Sequence, residues 1–136
     1  MGEFCFSQNK YPPVTYEAFA MCIYEKGDTI CNWKKTDIEV KLNIKGDTLN
    51  NITINGKKNV TYIVKKRTKS YNEIYSVKGK QENNKVYWDF YDIYDDVLGE
   101  EGKIQWGIFD YPIDGQVSAM SIFLKDYTVV FRLKVP

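Results

Sequence analysis

"DIEVKLNI", residues 37–44, alternates without a break: Ile38, Val40, Leu42 and Ile44 share one side, and Asp37, Glu39, Lys41 and Asn43 share the other. Successive side chains of an extended chain point to opposite faces, so a period of two describes a strand with one face buried. The expectation is that the four apolar residues of this stretch point into the core.

The same reading extends in both directions. Downstream, "NITIN" (51–55) places Ile52 and Ile54 together, and Asn55-Gly56 is a dipeptide that supplies the positive φ of a tight hairpin. "NVTYIVKK" (59–66), "EIYSVKG" (73–79), "KVYWDFYDIY" (85–94), "KIQWGIFDY" (103–111), "VSAMSIFL" (117–124) and "YTVVFRLKV" (127–135) follow as strands. "QENN" (81–84) reads as a polar turn and "DDVLGEEG" (95–102) as the longest evident loop. Upstream, residues 17–24 read as a strand that runs into a Gly-Asp turn. Turn signals every 8–12 residues or so, without a convincing amphipathic helix, point to an all-β antiparallel barrel or sandwich of about 8–10 strands. Trp33 and Trp88 are expected among its larger buried side chains.

Composition agrees with one such domain. The chain has 136 residues, 43% of them apolar, and a formal net charge of +1. That length builds one core, and the near-zero charge supplies no field that draws the whole molecule to nucleic acid. No apolar run approaches the length of a membrane-spanning helix. Residues 11–136 read as a single domain. Residues 1–10 contain "FCFSQNK" (4–10), which looks like the tail of a bacterial export signal, though it lacks a basic start and a long apolar run.

"CIYEKGDTIC", residues 22–31, holds two of the three cysteines. With Lys26-Gly27 as a two-residue loop, Glu25 faces Asp28 and Cys22 faces Cys31 on a non-hydrogen-bonded pair, where Cα atoms approach to about 4.5 Å. That separation permits a disulfide. A three-residue loop, Glu25-Lys26-Gly27, shifts the register by one and puts the cysteines on opposite faces; two free buried thiols are the third alternative. A Cys22–Cys31 disulfide implies an oxidising compartment: periplasm, cell surface or medium. A cytoplasmic location goes with free thiols.

The pattern as a whole, in "CNWKKTDIEVKLNI", "NITI", "TYIV" and a closing "SIFLKDYTVVFRLK", resembles a loose group of small exported β-proteins of Gram-negative bacteria. The resemblance implies export and an all-β domain and carries no assigned activity or site. Lipocalin-like barrels share the architecture by analogy only.

Catalytic arrangements find little support. With no histidine in the chain, Ser-His-Asp triads, Cys-His pairs and His-based zinc sites are excluded. Asp89, Asp92, Asp95, Asp96, Glu100 and Glu101 crowd one region, but the loop misses the EF-hand spacing, and acidic loops are mostly solvated. No enzyme, cofactor or metal is expected. "VKKRTKS" (64–70) is the strongest basic run. In "YWDFYDIY" (87–94), Trp88, Phe90 and Asp92 share one face and Tyr87, Asp89, Tyr91 and Ile93 the other. Neither face is plainly polar, so Trp88, Asp89, Tyr91 and Asp92 are the candidate ligand-binding residues, with rings stacking and carboxylates orienting.

Two function classes follow. One is an exported, non-enzymatic barrel or sandwich that binds a small apolar ligand or a glycan. The other is a protein-interaction module of inhibitor or immunity type. The first needs a cavity of about 300 Å³ or more, and the second a filled core and a protruding aromatic patch.

Overall fold

The computed structural model describes residues 14–25, 27–28, 30–46, 48–76 and 83–136. The suggested export-signal segment, the turn residues 81–82 and Lys26 of the predicted hairpin lie outside the described residues.

Eight strands make up the described fold: β1 (Thr15–Glu25), β2 (Lys34–Lys45), β3 (Thr48–Asn55), β4 (Asn59–Ser76), β5 (Asn83–Asp95), β6 (Glu100–Ile113), β7 (Gln116–Phe123) and β8 (Tyr127–Lys134). Each pairs antiparallel with the next, and β8 returns to β1, so the sheet closes into a barrel rather than a sandwich. An eight-stranded barrel is just wide enough for its own side chains to fill. They do so here. Val40 and Leu42 of β2, Ile52 and Ile54 of β3, Ile104 and Trp106 of β6, and Phe131 and Leu133 of β8 are buried together, with the Tyr16 and Trp106 rings meeting edge to face at 6.3 Å.

Alternation places most of these residues, but four expectations need correction. Ile44 is 40% exposed because it lies one residue from the end of β2, and Ile38 is only half-buried. Trp33 is 38% exposed: it sits in the link before β2 with Arg132 stacked 4.0 Å from its ring centre. Trp88 is half-buried on the outer face, and the interior tryptophan is instead Trp106, at 5% exposure. Asn55 pairs with Asn59, so the β3–β4 loop is the three residues 56–58, and Gly56 keeps out of the left-handed region.

The cysteines show a different kind of correction. Cys22 and Cys31 form a disulfide with Cα atoms 5.7 Å apart. The turn closes as expected: Asp28 N–H donates to the Glu25 carbonyl at 3.0 Å, and Gly27 has φ +100°. The ladder does not continue from there. β1 pairs with β2 only up to Met21–Lys34, so Cys31 lies in the irregular link and not on a strand opposite Cys22. Cys22 pairs with Val130 of β8, between the inward-facing Val129 and Phe131, so it faces outward, yet it is buried. The link carrying Cys31 covers it from outside.

The largest departure is β4. The sequence suggests two strands, 59–66 and 73–79, but 59–76 is one strand interrupted by bulges between Val64 and Lys66 and between Arg67 and Lys69. Bulges bend a strand without ending it. β4 and β5 together run beyond the β3 side of the barrel as a long hairpin, paired as far as Ser76–Asn83.

Candidate functional site

β3 and β4 pair over residues 51–55 and 59–63 only. Past Ile63 the two strands separate, because Asn50 is left over at the β2–β3 register shift and β4 bends at its first bulge. A cleft of about 340 Å³ opens between them, lined by Thr48, Leu49 and Asn50 on one side, Val64, Lys65, Lys66 and Arg67 on the other, and Tyr91 at its base.

The two bulges determine which β4 side chains reach this cleft. Unbroken alternation from Val64 puts 66, 68 and 70 on the inner side. The observed pairs are instead Val64–Ile93, Arg67–Tyr91 and Ser70–Asp89, so residues three apart face inward. The bulged Thr68 turns its hydroxyl back to the Phe90 carbonyl at 3.4 Å. Arg67, Ser70, Asp89 and Tyr91 thereby form one polar cluster. Ser70 Oγ donates to Asp89 Oδ1 in a short hydrogen bond, and Tyr91 O–H donates to Asp89 Oδ2 at 3.5 Å. The Arg67 guanidinium lies 4.0 Å from Asp89 Oδ1. Burial pushes the Tyr91 phenol up to about 12, Asp89 adds to the rise, and Arg67 opposes it. Tyr91 is therefore a neutral hydrogen-bonding group at physiological pH, and Asp89 is engaged by Ser70 and Tyr91, with Arg67 only loosely held beside it.

The four residues singled out from sequence divide between the two faces. Asp89 and Tyr91 belong to the inner cluster. Trp88 and Asp92 face outward: Trp88 covers Gly107 of β6, and Asp92 pairs with Lys103 at 3.0 Å. The outer face of the hairpin forms a separate aromatic surface. Tyr71 and Phe90 stack at 5.8 Å with 16° between their planes, and Lys69 Nζ lies 4.9 Å from the Tyr71 ring centre. The Trp88 indole N–H is buried and has no hydrogen-bond partner among the described residues.

Arg67 and Ser70 are the site residues that pattern reading missed. Both lie within the basic run noticed in the sequence; Ser70 keeps the face that plain alternation from Val64 gives it, because the two bulges cancel there, whereas Arg67 turns inward only through the first bulge, which has no sequence signature here.

The acidic segment has a structural explanation. Asp95 is buried, and its Oδ1 accepts from the backbone of Val97 at 3.0 Å and Leu98 at 3.1 Å, capping the β5–β6 turn. Glu100 accepts from Lys125 N–H at 2.9 Å, and Glu101 pairs with Lys65 at 2.9 Å. Five of the six carboxylates (Asp89, Asp92, Asp95, Glu100 and Glu101) thus hold strands or turns together.

No helix of the described residues is long and apolar enough to cross a membrane. No family model, curated protein or solved structure matches the chain.

Proposed function

We propose that the chain is an exported, non-enzymatic binding module that recognises another macromolecule through the β4–β5 hairpin and the cleft at its base. The observation that carries this reading is the contrast between a barrel interior filled by its own side chains and a hairpin that extends past the wall with one edge open. A filled core with a protruding aromatic surface favours the interaction class over a ligand held inside the barrel. Tyr71, Ile74 and Tyr87 are exposed on this hairpin, and such side chains provide much contact area at small entropic cost. Export is supported by the Cys22–Cys31 disulfide, since reducing compartments rarely retain one. The second reading, a small polar ligand in the cleft, is favoured by a volume of about 340 Å³.

Photo-crosslinking in the native host tests the proposal. A benzophenone side chain at Ile74, which is 64% exposed on the hairpin, should capture a specific macromolecule, and one at the exposed Lys41 of β2, away from the hairpin, should not. Capture at neither position, together with a small molecule retained in the native mass spectrum, overturns the reading in favour of the cleft ligand.

A further inference from the structure

Among the described residues, β4 from Val64 to Ser76 has a strand neighbour on one side only, β5, and none hydrogen-bonds to its other edge. An edge of that length is a template for another strand, and natural proteins either block it or use it. Part of this edge is blocked: the two bulges kink residues 64–69. The rest is regular. Lys69–Ser76 pair consecutively with Phe90–Asn83, so alternate residues direct their backbone N–H and C=O groups to the outer edge without a break.

Charge is distributed just as unevenly. Lys65, Lys66, Arg67 and Lys69 fall within five positions, and Glu73 is the one acidic residue between 64 and 76. Lys65 is neutralised by Glu101, and Arg67 is held loosely by Asp89 at 4.0 Å. Lys66 has no carboxylate within ion-pair distance among the described residues, and Lys69 rests on the Tyr71 and Phe90 rings instead. Lys66 and Lys69 face outward and Arg67 inward, so cations flank the edge on both faces of the sheet. The cleft where β3 splays away gives an added strand room to end beside Arg67 and Tyr91.

A second copy of the chain fits poorly. Edge-to-edge pairing of two β4 strands sets four cations against four cations with one glutamate from each copy in reply. The same charges attract an acidic strand.

We propose that the free edge of β4 accepts an extended, acidic segment of a partner protein as an added β-strand, its carboxylates meeting Lys66, Arg67 and Lys69. This rests on the reading of the hairpin as a macromolecular recognition surface. It differs from a simple polyanion site because the backbone row contributes as well as the cations.

The test uses a fluorescein-labelled synthetic peptide of about ten residues alternating Glu and Val, long enough to pair with the regular edge. Two further versions are N-methylated on alternate residues, one along each of the peptide's edges. A sulfated oligosaccharide of similar charge serves as the polyanion probe. Anisotropy should show binding of the parent peptide, a loss of about tenfold or more for one N-methylated version but not the other, and a similar loss for the Lys66→Glu/Lys69→Glu protein. Hydrogen exchange should slow in residues 64–76. Thermal melts of the variant protein confirm that the barrel is intact. Equal binding of both N-methylated peptides, oligosaccharide binding as tight as the parent peptide's, or unchanged exchange in 64–76 overturns the proposal. If Ile74 still crosslinks a macromolecule when the peptide fails to bind, the acidic-strand inference falls and the interaction reading stands. Failure of the crosslink removes the reading itself.

Discussion

The indole of Trp88 on β5 occupies the space in which a side chain at position 107 of β6 would stand. Gly107 is directly opposite Trp88 in the ladder, and a Cβ there would overlap Cζ3 of the ring and its neighbours Cε3 and Cη2. A large aromatic thus covers the bare backbone of its cross-strand neighbour, which keeps water from that stretch of ladder.

Gly107→Ala should therefore cost about 1–3 kcal/mol, because the indole must leave its position. Trp88→Ala should cost as well, through lost cover. The double variant should be less destabilised than the sum of the two, since the alanine no longer meets a ring. Urea unfolding of the three variants measures this coupling; strict additivity would show that the two residues do not compete for the same space.

The interior polar groups differ sharply in how well they are satisfied. Ser118 Oγ accepts from Trp106 Nε1 at 2.9 Å and donates to the Gly107 carbonyl at 2.7 Å. Burial raises the Tyr16 phenol and Ser118 lies close enough to oppose the rise, but among the described residues no partner meets the Tyr16 hydroxyl in hydrogen-bond geometry. Ser118→Ala should destabilise by about 1–3 kcal/mol, since it strands the indole donor and the carbonyl together. Tyr16→Phe should be neutral or slightly stabilising, because it removes an unpartnered buried group. Chemical denaturation distinguishes the two, and a large loss for Tyr16→Phe would reveal a partner for its hydroxyl.

Reduction of the Cys22–Cys31 bond should lower the melting temperature without unfolding the barrel. The closed loop is short, with a sequence separation of 9, so the chain-entropy estimate is at most about 2–3 kcal/mol. The ladder of β1 with β8 runs as far as Glu25–Tyr127 and involves neither sulfur, so it should survive reduction. Far-UV circular dichroism with and without a reductant should show the same strand signal at 25 °C, with a lower melting point in the reduced sample. Loss of the strand signal would mean that the link around Cys31 is needed for closure.

Stability should be level at neutral pH and fall in strong base. Burial raises the phenols of Tyr16, Tyr62 and Tyr91 to about 12 from their ordinary 10.0, with Tyr127, Asp95 and Glu100 adding to the rise at Tyr62 and Asp89 at Tyr91. These groups ionise more readily in the unfolded chain. Their contribution is fully present below pH 10 or so and is lost as the pH rises through about 12. Denaturant titrations from pH 8 to 12, read alongside tyrosinate absorbance, should show Tyr16, Tyr62 and Tyr91 ionising late and together with unfolding. Early ionisation of these groups would contradict their burial.

Alternation and turn residues in the chain determine the all-β class, the place of nearly every strand, and the inward side of Val40, Leu42, Ile52 and Ile54, and they offer Cys22 and Cys31 as a candidate pair. These are local properties: a period of two, a Gly in a turn, and two cysteines within chain reach need no knowledge of distant neighbours. Barrel closure through the β8–β1 ladder, the choice of Trp106 over Trp33 and Trp88 as the interior tryptophan, and the outward burial of Cys22 depend on which strands meet, and so on tertiary pairing. The cleft depends on it most. Alternation along β5 already separates Trp88 and Asp92 from Asp89 and Tyr91, but only the first bulge in β4 turns Arg67 inward, beside Ser70, to meet Asp89 and Tyr91. A bulge is fixed by the strand opposite it, so a strand read alone cannot show which of its side chains will share a site.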